Sequence, residues 1–203
     1  MKTQDGRLIV IAGASRSGKT AFVKKAVQRA RRVFAYDPED QWAQLPGWRR
    51  VTTRQELLAA AKAPGAAKVA YVAGGDLPAE FDFWAGYVLY AGRYVEPLAA
   101  IAEELADVTT PSKAPGNWGI LLRRGLKRGI TIYAISQRWA EADKTAMGNA
   151  SEFIIFRQAT GPDAAYMSRY TRVPAAEIDA LPPLSFVRYD AISQKIERGR
   201  LRF

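Results

Sequence analysis

The chain contains no cysteine and no histidine. Those two absences exclude disulfides, thiolate zinc sites, a Ser-His-Asp triad and any histidine proton shuttle. A chain without cysteine is compatible with a reducing cytoplasm. No apolar run approaches the ~18 residues of a membrane-spanning helix; the longest, FWAGYVLYAG at 83–92, stops at a glycine. The N-terminal MKTQDGRLIVIAG lacks a secretory signal pattern, because its apolar run is short and breaks into a glycine loop. A soluble protein is expected, with no transmembrane segment. No repeat and no low-complexity tract divides the sequence. At 203 residues, a single well-buried α/β domain over 1–203 is expected.

Acidic residues are in short supply: 20 Asp and Glu face 30 Lys and Arg, a net charge of +10. Such an excess favours a polyanionic partner or an anionic membrane surface.

Apolar runs at Leu8–Ala12, Val33–Tyr36, Lys68–Ala73, Ile130–Ser136 and Phe153–Arg157 read as strands, with a weaker, Ala-rich one at Leu98–Ala102. Helices are expected over Ala21–Ala30, Thr53–Ala63 (capped by Thr52 or Thr53), Phe81–Ala91 and the basic Asn117–Arg128. TTPSKAPGN at 109–117 reads as an exposed loop. The basic tail, 184–203, reads as two strands around a turn near Ala191–Gln194. Alternating strands and helices predict a mainly parallel sheet with helices on both faces.

The strongest motif is GASRSGKT, which is Gly13, Ala14, Ser15, Arg16, Ser17, Gly18, Lys19 and Thr20. It fits the phosphate-binding pattern G-x-x-x-x-G-K-[ST] with a strand before it and a helix after it. Gly13 and Gly18 permit a backbone whose N–H groups wrap a phosphate chain, and the helix that follows adds its positive N-terminal end. Lys19 is expected to reach the β- and γ-phosphates of ATP, and the Thr20 hydroxyl to coordinate Mg²⁺.

Such a loop needs a carboxylate at a neighbouring strand end, and LAAIAEEL at 98–105 offers Glu103-Glu104. Glu103 is the expected metal carboxylate, and Glu104 the group that polarises the attacking water. The competing reading is a helix face carrying two solvated acids, in which case Asp37 and Asp76 are the fallback metal ligands. Gln137, after the strand Ile130–Ser136, is placed to sense the γ-phosphate; the bland alternative is a polar strand end capping the next helix.

Read together, RRGLKRGITIYAISQRW (123–139) and DKTAMGNASEFIIFR (143–157) resemble the FtsK–HerA superfamily of DNA-pumping P-loop ATPases. The short length and LAAIAEELADV are similar to its viral branch, the genome-packaging ATPases of membrane-containing icosahedral phages. The resemblance runs over about residues 7 to 160. It implies a three-layer, RecA/ASCE-like P-loop fold and a homo-oligomeric ring, hexamer or pentamer, that hydrolyses ATP with Mg²⁺ and translocates double-stranded DNA. A capsid or membrane vertex protein would be the docking partner, and the host cytoplasm or the virion packaging vertex the location.

In such rings a neighbour's Arg stabilises the transition state. Arg124 is favoured here, with Arg123, Arg128 and Arg157 as further candidates. The family often has Gly-Arg-Lys where this chain has Gly125-Leu126-Lys127. DNA phosphates would be met by Lys113 and the basic residues of the next helix. Trp42 and Trp48, beside Arg49 and Arg50, either stack on DNA or pack. The basic tail lines a subunit interface or touches a capsid or membrane component.

Three other readings share the loop. A small-molecule kinase has the same motif and size, but no Arg-rich lid is recognisable here. A filamentous-phage assembly ATPase related to zonula occludens toxin would carry a membrane segment. A protein that binds nucleotide without turnover would fit if Glu103-Glu104 were not the metal site.

Overall fold

The computed structural model describes residues 6–62, 65–92, 97–112, 114 and 116–202. Among them no helix is long and apolar enough to cross a membrane. The frame is a nine-stranded sheet in the order β3-β4-β2-β5-β6-β1-β7-β8-β9. Its strands are β1 (Leu8–Ala12), β2 (Arg32–Tyr36), β3 (Arg49–Val51), β4 (Ala67–Tyr71), β5 (Leu98–Ala102), β6 (Ile130–Ser136), β7 (Glu152–Phe156), β8 (Ser185–Asp190) and β9 (Ile196–Arg200). Strands β3 through β7 pair in parallel, and β8 and β9 close that side as an antiparallel pair. The central β1 and β5 are buried along their whole length. That is why both read as unbroken apolar runs rather than alternating ones.

Helices cover the two faces unequally. One face packs against α2 (Arg54–Lys62), α3 (Leu77–Ala91), α4 (Leu105–Val108), α5 (Gly116–Arg124), α6 (Lys144–Asn149), α7 (Gly161–Tyr170) and α8 (Ala175–Asp179). The other packs against α1 (Lys19–Ala26) and the segment 42–48, through Val23, Val27, Trp42 and Trp48. The aromatic-rich α3 is wedged between the sheet and α5, where Phe81 lies 5.6 Å from Trp84 and 5.1 Å from Trp118.

Several boundaries differ from the sequence reading, each for a local reason. Helix α3 starts four residues earlier than Phe81, because Asp76 caps it by accepting from Ala79 N (3.2 Å) and Pro78 fits the first turn. The basic helix expected to Arg128 ends at Arg124; 126–128 is a single 3₁₀ turn closed by Gly129 at φ 72°. Helix α1 ends at Ala26 rather than Ala30. The short β3, α4, α6, α7 and α8 carry too few residues for a periodic signal. Helix α2 has the reciprocal cap its sequence suggested: Glu56 N donates to Thr53 Oγ1 (3.2 Å), and the Glu56 carboxylate accepts from Thr52 N (2.8 Å).

The antiparallel pair is tied to the parallel sheet by charge. Arg7, just before β1, reaches Asp190 at the end of β8 (2.5 Å) and Glu152 in β7 (3.2 Å), while Arg188 reaches Glu152 (2.6 Å). The Ser193 N–H and Arg7 hold the Asp190 carboxyl down at about 2. A carboxyl held below its ordinary value of 3.8 adds stability above that value and loses it as pH falls toward 2. Asp190→Asn is therefore expected to lower Tm at pH 7 by about 2–4 °C, the equivalent of about 1 kcal/mol. Thermal melts from pH 7 to 2 should show the gap closing below about pH 4. A gap that stays constant with pH would contradict the account.

Candidate nucleotide site

The phosphate loop spans the gap between β1 and α1. Its backbone needs glycine at one point in particular: Gly18 has φ 116°, and a Cβ there would lie 2.9 Å from Leu201 Cδ1. Arg16 at the loop tip is also left-handed, with φ 59°. The loop is moored by Ala14 N donating to Arg157 O (2.9 Å). Inside it the Lys19 ammonium donates to Gly13 O (2.8 Å) and Ala14 O (2.9 Å). Burial pulls Lys19 toward its neutral form, and Glu104, Glu103 and Glu39 oppose that pull.

Those acids reach the loop through the strand order. Strand β6 lies between β1 and β5, with Ala12 opposite Ser136 and Ala102 opposite Ala134. The residues that follow β5 and β6 therefore emerge at the edge where the loop sits. Glu103 is 8% exposed and accepts from Trp42 Nε1 (2.9 Å). Burial raises its carboxyl to about 7, with Glu104 and Asp37 adding to the rise and Trp42 and Lys19 opposing it. Glu104 has φ 47° and ψ 55°, a left-handed conformation rare for a long side chain, and accepts from Gln137 Nε2 (3.1 Å). Its carboxyl too is raised, mainly by burial.

Lys19, Glu103, Glu104 and Gln137 are thus gathered at one sheet edge, and the reading of Glu103-Glu104 as solvated acids on a helix face does not hold. The fallback ligands are used elsewhere. Asp37 accepts from the N–H groups of Gln41 (2.8 Å), Trp42 (2.9 Å) and Ala43 (3.0 Å), and Asp76 caps α3. Trp42 is fully buried, 5.2 Å from Trp48, so its ring packs and is closed to DNA. Its bond to Glu103 and the nearness of Glu39 to Lys19 had no signal in the sequence beyond the turn at Asp37-Pro38.

The cationic candidates lie apart from the acids. Arg123 and Arg124 are exposed at the end of α5, and Arg128 Nη1 donates to Leu89 O (3.0 Å). The turn that follows Arg124 accepts from Gly6 N through Leu126 O (2.8 Å), just ahead of β1. Arg124 is therefore at the opposite end of the sheet from its own Lys19, a separation of about 20 Å along β6. Lys113 lies outside the described residues.

Among the described residues no group of three or more acids is built to hold a metal alone. The Thr20 hydroxyl and Glu103 carboxylate are hard oxygen donors that suit Mg²⁺ when phosphate oxygens complete its shell. The residues present fit that ion as a companion of nucleotide.

This fold, with a phosphate loop on β1 and a carboxylate pair one strand removed, defines a P-loop NTPase, and the resemblance to the FtsK–HerA superfamily is borne out by its relatives. Protein P9 of Pseudoalteromonas phage PM2 is 33% identical over 138 residues, 67% of this chain; the match spans 62% of P9 itself. The genome-packaging NTPase B204 of Sulfolobus turreted icosahedral virus 2, solved with AMPPCP, superposes with a TM-score of 0.80 at 16% identity, over 97% of this chain and 98% of B204. The bacterial conjugative coupling protein TrwB superposes at 0.66 with 10% identity, over 99% of this chain and 86% of the solved TrwB chain. No family model matches the sequence.

Removing the indole donor beside a buried carboxylate should cost more than removing it beside an amide. Trp42→Phe is expected to lose about 1–3 kcal/mol against urea, and about 1 kcal/mol less when Glu103 is already Gln. Additive losses in the double variant would show that the Trp42–Glu103 contact carries no such weight.

Proposed function

We propose that this chain is a Mg²⁺-dependent ATPase that moves double-stranded DNA as an oligomeric ring, the motor of viral genome packaging. One observation carries the reading: Lys19, Glu103, Glu104 and Gln137 meet at a single sheet edge, in a fold shared with a packaging NTPase.

In this reading the loop N–H groups and Lys19 bind the β- and γ-phosphates, while Thr20 and Glu103 hold Mg²⁺, which supplies charge neutralisation when bound. Glu104 accepts the proton of the attacking water, and its raised carboxyl suits that role. Gln137 holds Glu104 by one amide hydrogen and has the rest of its amide to offer the γ-phosphate. Arg124 faces away from its own loop, so its service to catalysis would be to a neighbour's nucleotide. DNA would be gripped by its phosphates without base readout, through Lys113 and the exposed Arg123. In the C-terminal strand pair, Arg198 is engaged with Glu177 (2.7 Å), leaving the exposed Lys195, Arg200 and Arg202 for a subunit, capsid or membrane component. The host cytoplasm and the packaging vertex are the places such a motor works.

Steady-state ATP hydrolysis with and without long duplex DNA tests this. Wild type is expected to be stimulated by DNA in a salt-sensitive way. Lys19→Ala and Glu104→Gln should each lower turnover about 100-fold or more, Glu104→Gln while still binding ATP. Turnover that ignores DNA and requires a small phosphate acceptor would overturn the motor reading.

Native mass measurement with nucleotide or DNA should find a ring, and a strict monomer in every condition would contradict it. In that ring Arg124→Ala should cut hydrolysis by about 10³-fold with ATP affinity intact; an undiminished rate would remove Arg124 from the site.

A further inference from the structure

Beside the phosphate loop, on the side away from the carboxylates, lies a cleft of about 180 Å³. One wall is loop residues 14–17, and the other is Arg157 with the turn Pro182–Ser185 that leads into β8. We propose that this cleft receives the nucleoside of the bound nucleotide, with Arg157 as its ligand from the same subunit. The inference rests on the reading of GASRSGKT as a nucleotide site and specifies where the rest of that nucleotide goes.

The sheet order sets the direction. The loop follows β1, the acids and Gln137 follow β5 and β6 on one side, and β7 and β8 lie on the other. A triphosphate wrapped by the loop with its γ end toward Glu104 and Gln137 must leave at its α end toward β7 and β8, where the cleft opens. Whole-ligand pockets hold about 300–1,000 Å³, so a cleft of this size takes one part of a nucleotide while the loop carries the remainder.

Arg157 has the chemistry for that part. Its carbonyl is committed to the loop, at 2.9 Å from Ala14 N, which fixes its backbone. Its side chain is exposed and makes no hydrogen bond or ion pair among the described residues, unlike Arg7, Arg54, Arg188 and Arg198, which are all in ion pairs. A free planar guanidinium stacks on a flat aromatic base. Ser17 adds a buried Oγ without a partner in the loop wall.

The facing turn is held rigid for contact. Leu184 has φ 63°, a costly conformation for a bulky residue, and is pinned by Leu201 N donating to its carbonyl (2.9 Å). Pro182 and Pro183 ahead of it present stiff apolar rings. The cleft wall holds no carboxylate and no carboxamide side chain, so the groups that read a base edge most sharply are missing from it and base discrimination is weak. Anchored here, Arg157 belongs to its own subunit's nucleotide and not to a neighbour's.

Calorimetric titration of the full chain with Mg-ATP, GTP and inorganic tripolyphosphate tests the assignment. Arg157→Ala should weaken ATP binding about tenfold and leave tripolyphosphate binding unchanged, which also certifies that the variant is folded. Wild-type affinities for ATP and GTP should agree within about tenfold. Unchanged ATP affinity in Arg157→Ala, with or without a fall in hydrolysis, would overturn the proposal, as would equal weakening of ATP and tripolyphosphate. A GTP affinity more than about 100-fold below that of ATP would also contradict it. Lys19→Ala separates the two readings: it should weaken both ligands, and a wild type that binds neither would defeat the nucleotide reading itself.

Discussion

The parallel register of β1, β6 and β5 is the constraint on which the remaining features depend. Parallel neighbours deliver their C-terminal ends to the same edge, so residues 13–20, 103–104 and 137 converge although they are up to about 120 positions apart in the chain. The interposed β6 keeps the carboxylates one strand away from the loop, which leaves room at the edge for a phosphate chain and the groups that act on it. Phe156, Leu184 and Leu201 support that loop from beneath Gly18, so the antiparallel addition at β8 and β9 braces the loop from the other side.

The electrostatics of the edge follow from its burial. Two adjacent glutamates removed from water are pushed toward protonation, and a lysine removed from water is pushed toward neutrality. Their mutual attraction opposes both effects. Trp42 Nε1 and Gln137 Nε2 each give one acid a neutral donor, so the carboxylates are oriented without being cancelled by a cation. A site of that kind meets an incoming polyanion and a divalent ion with its oxygens already aimed, at the expense of some folding stability.

Much of this was legible in the sequence because the informative residues are local. GASRSGKT declares its backbone through two glycines, and β1, β5 and β6 declare burial through apolar runs. The acids at 103–104 and the glutamine at 137 declare strand ends. What stayed hidden depends on tertiary contact. Trp42 reads as a tryptophan beside arginines and is in fact the hydrogen-bond partner of a residue 61 positions on. Asp37 looks like a strand-end ligand, but three loop N–H groups consume it. Arg157 reads as a charge after a strand, and its place beside the loop comes only from the pairing of β7 with β1. The break at Arg124 was hidden because Gly125 and Leu126 do not by themselves distinguish a continuing helix from a 3₁₀ turn.

The polarity of the nucleotide across the sheet edge is the central claim, and a crystal structure of the chain with Mg²⁺ and a non-hydrolysable ATP analogue measures it directly. The account predicts the β-phosphate in the loop, the γ-phosphate within hydrogen-bonding reach of Gln137 with Glu104 behind it, and the base over Arg157 on the β7–β8 side. A triphosphate running the other way, or one whose γ-phosphate lies out of reach of both Glu104 and Gln137, would contradict it.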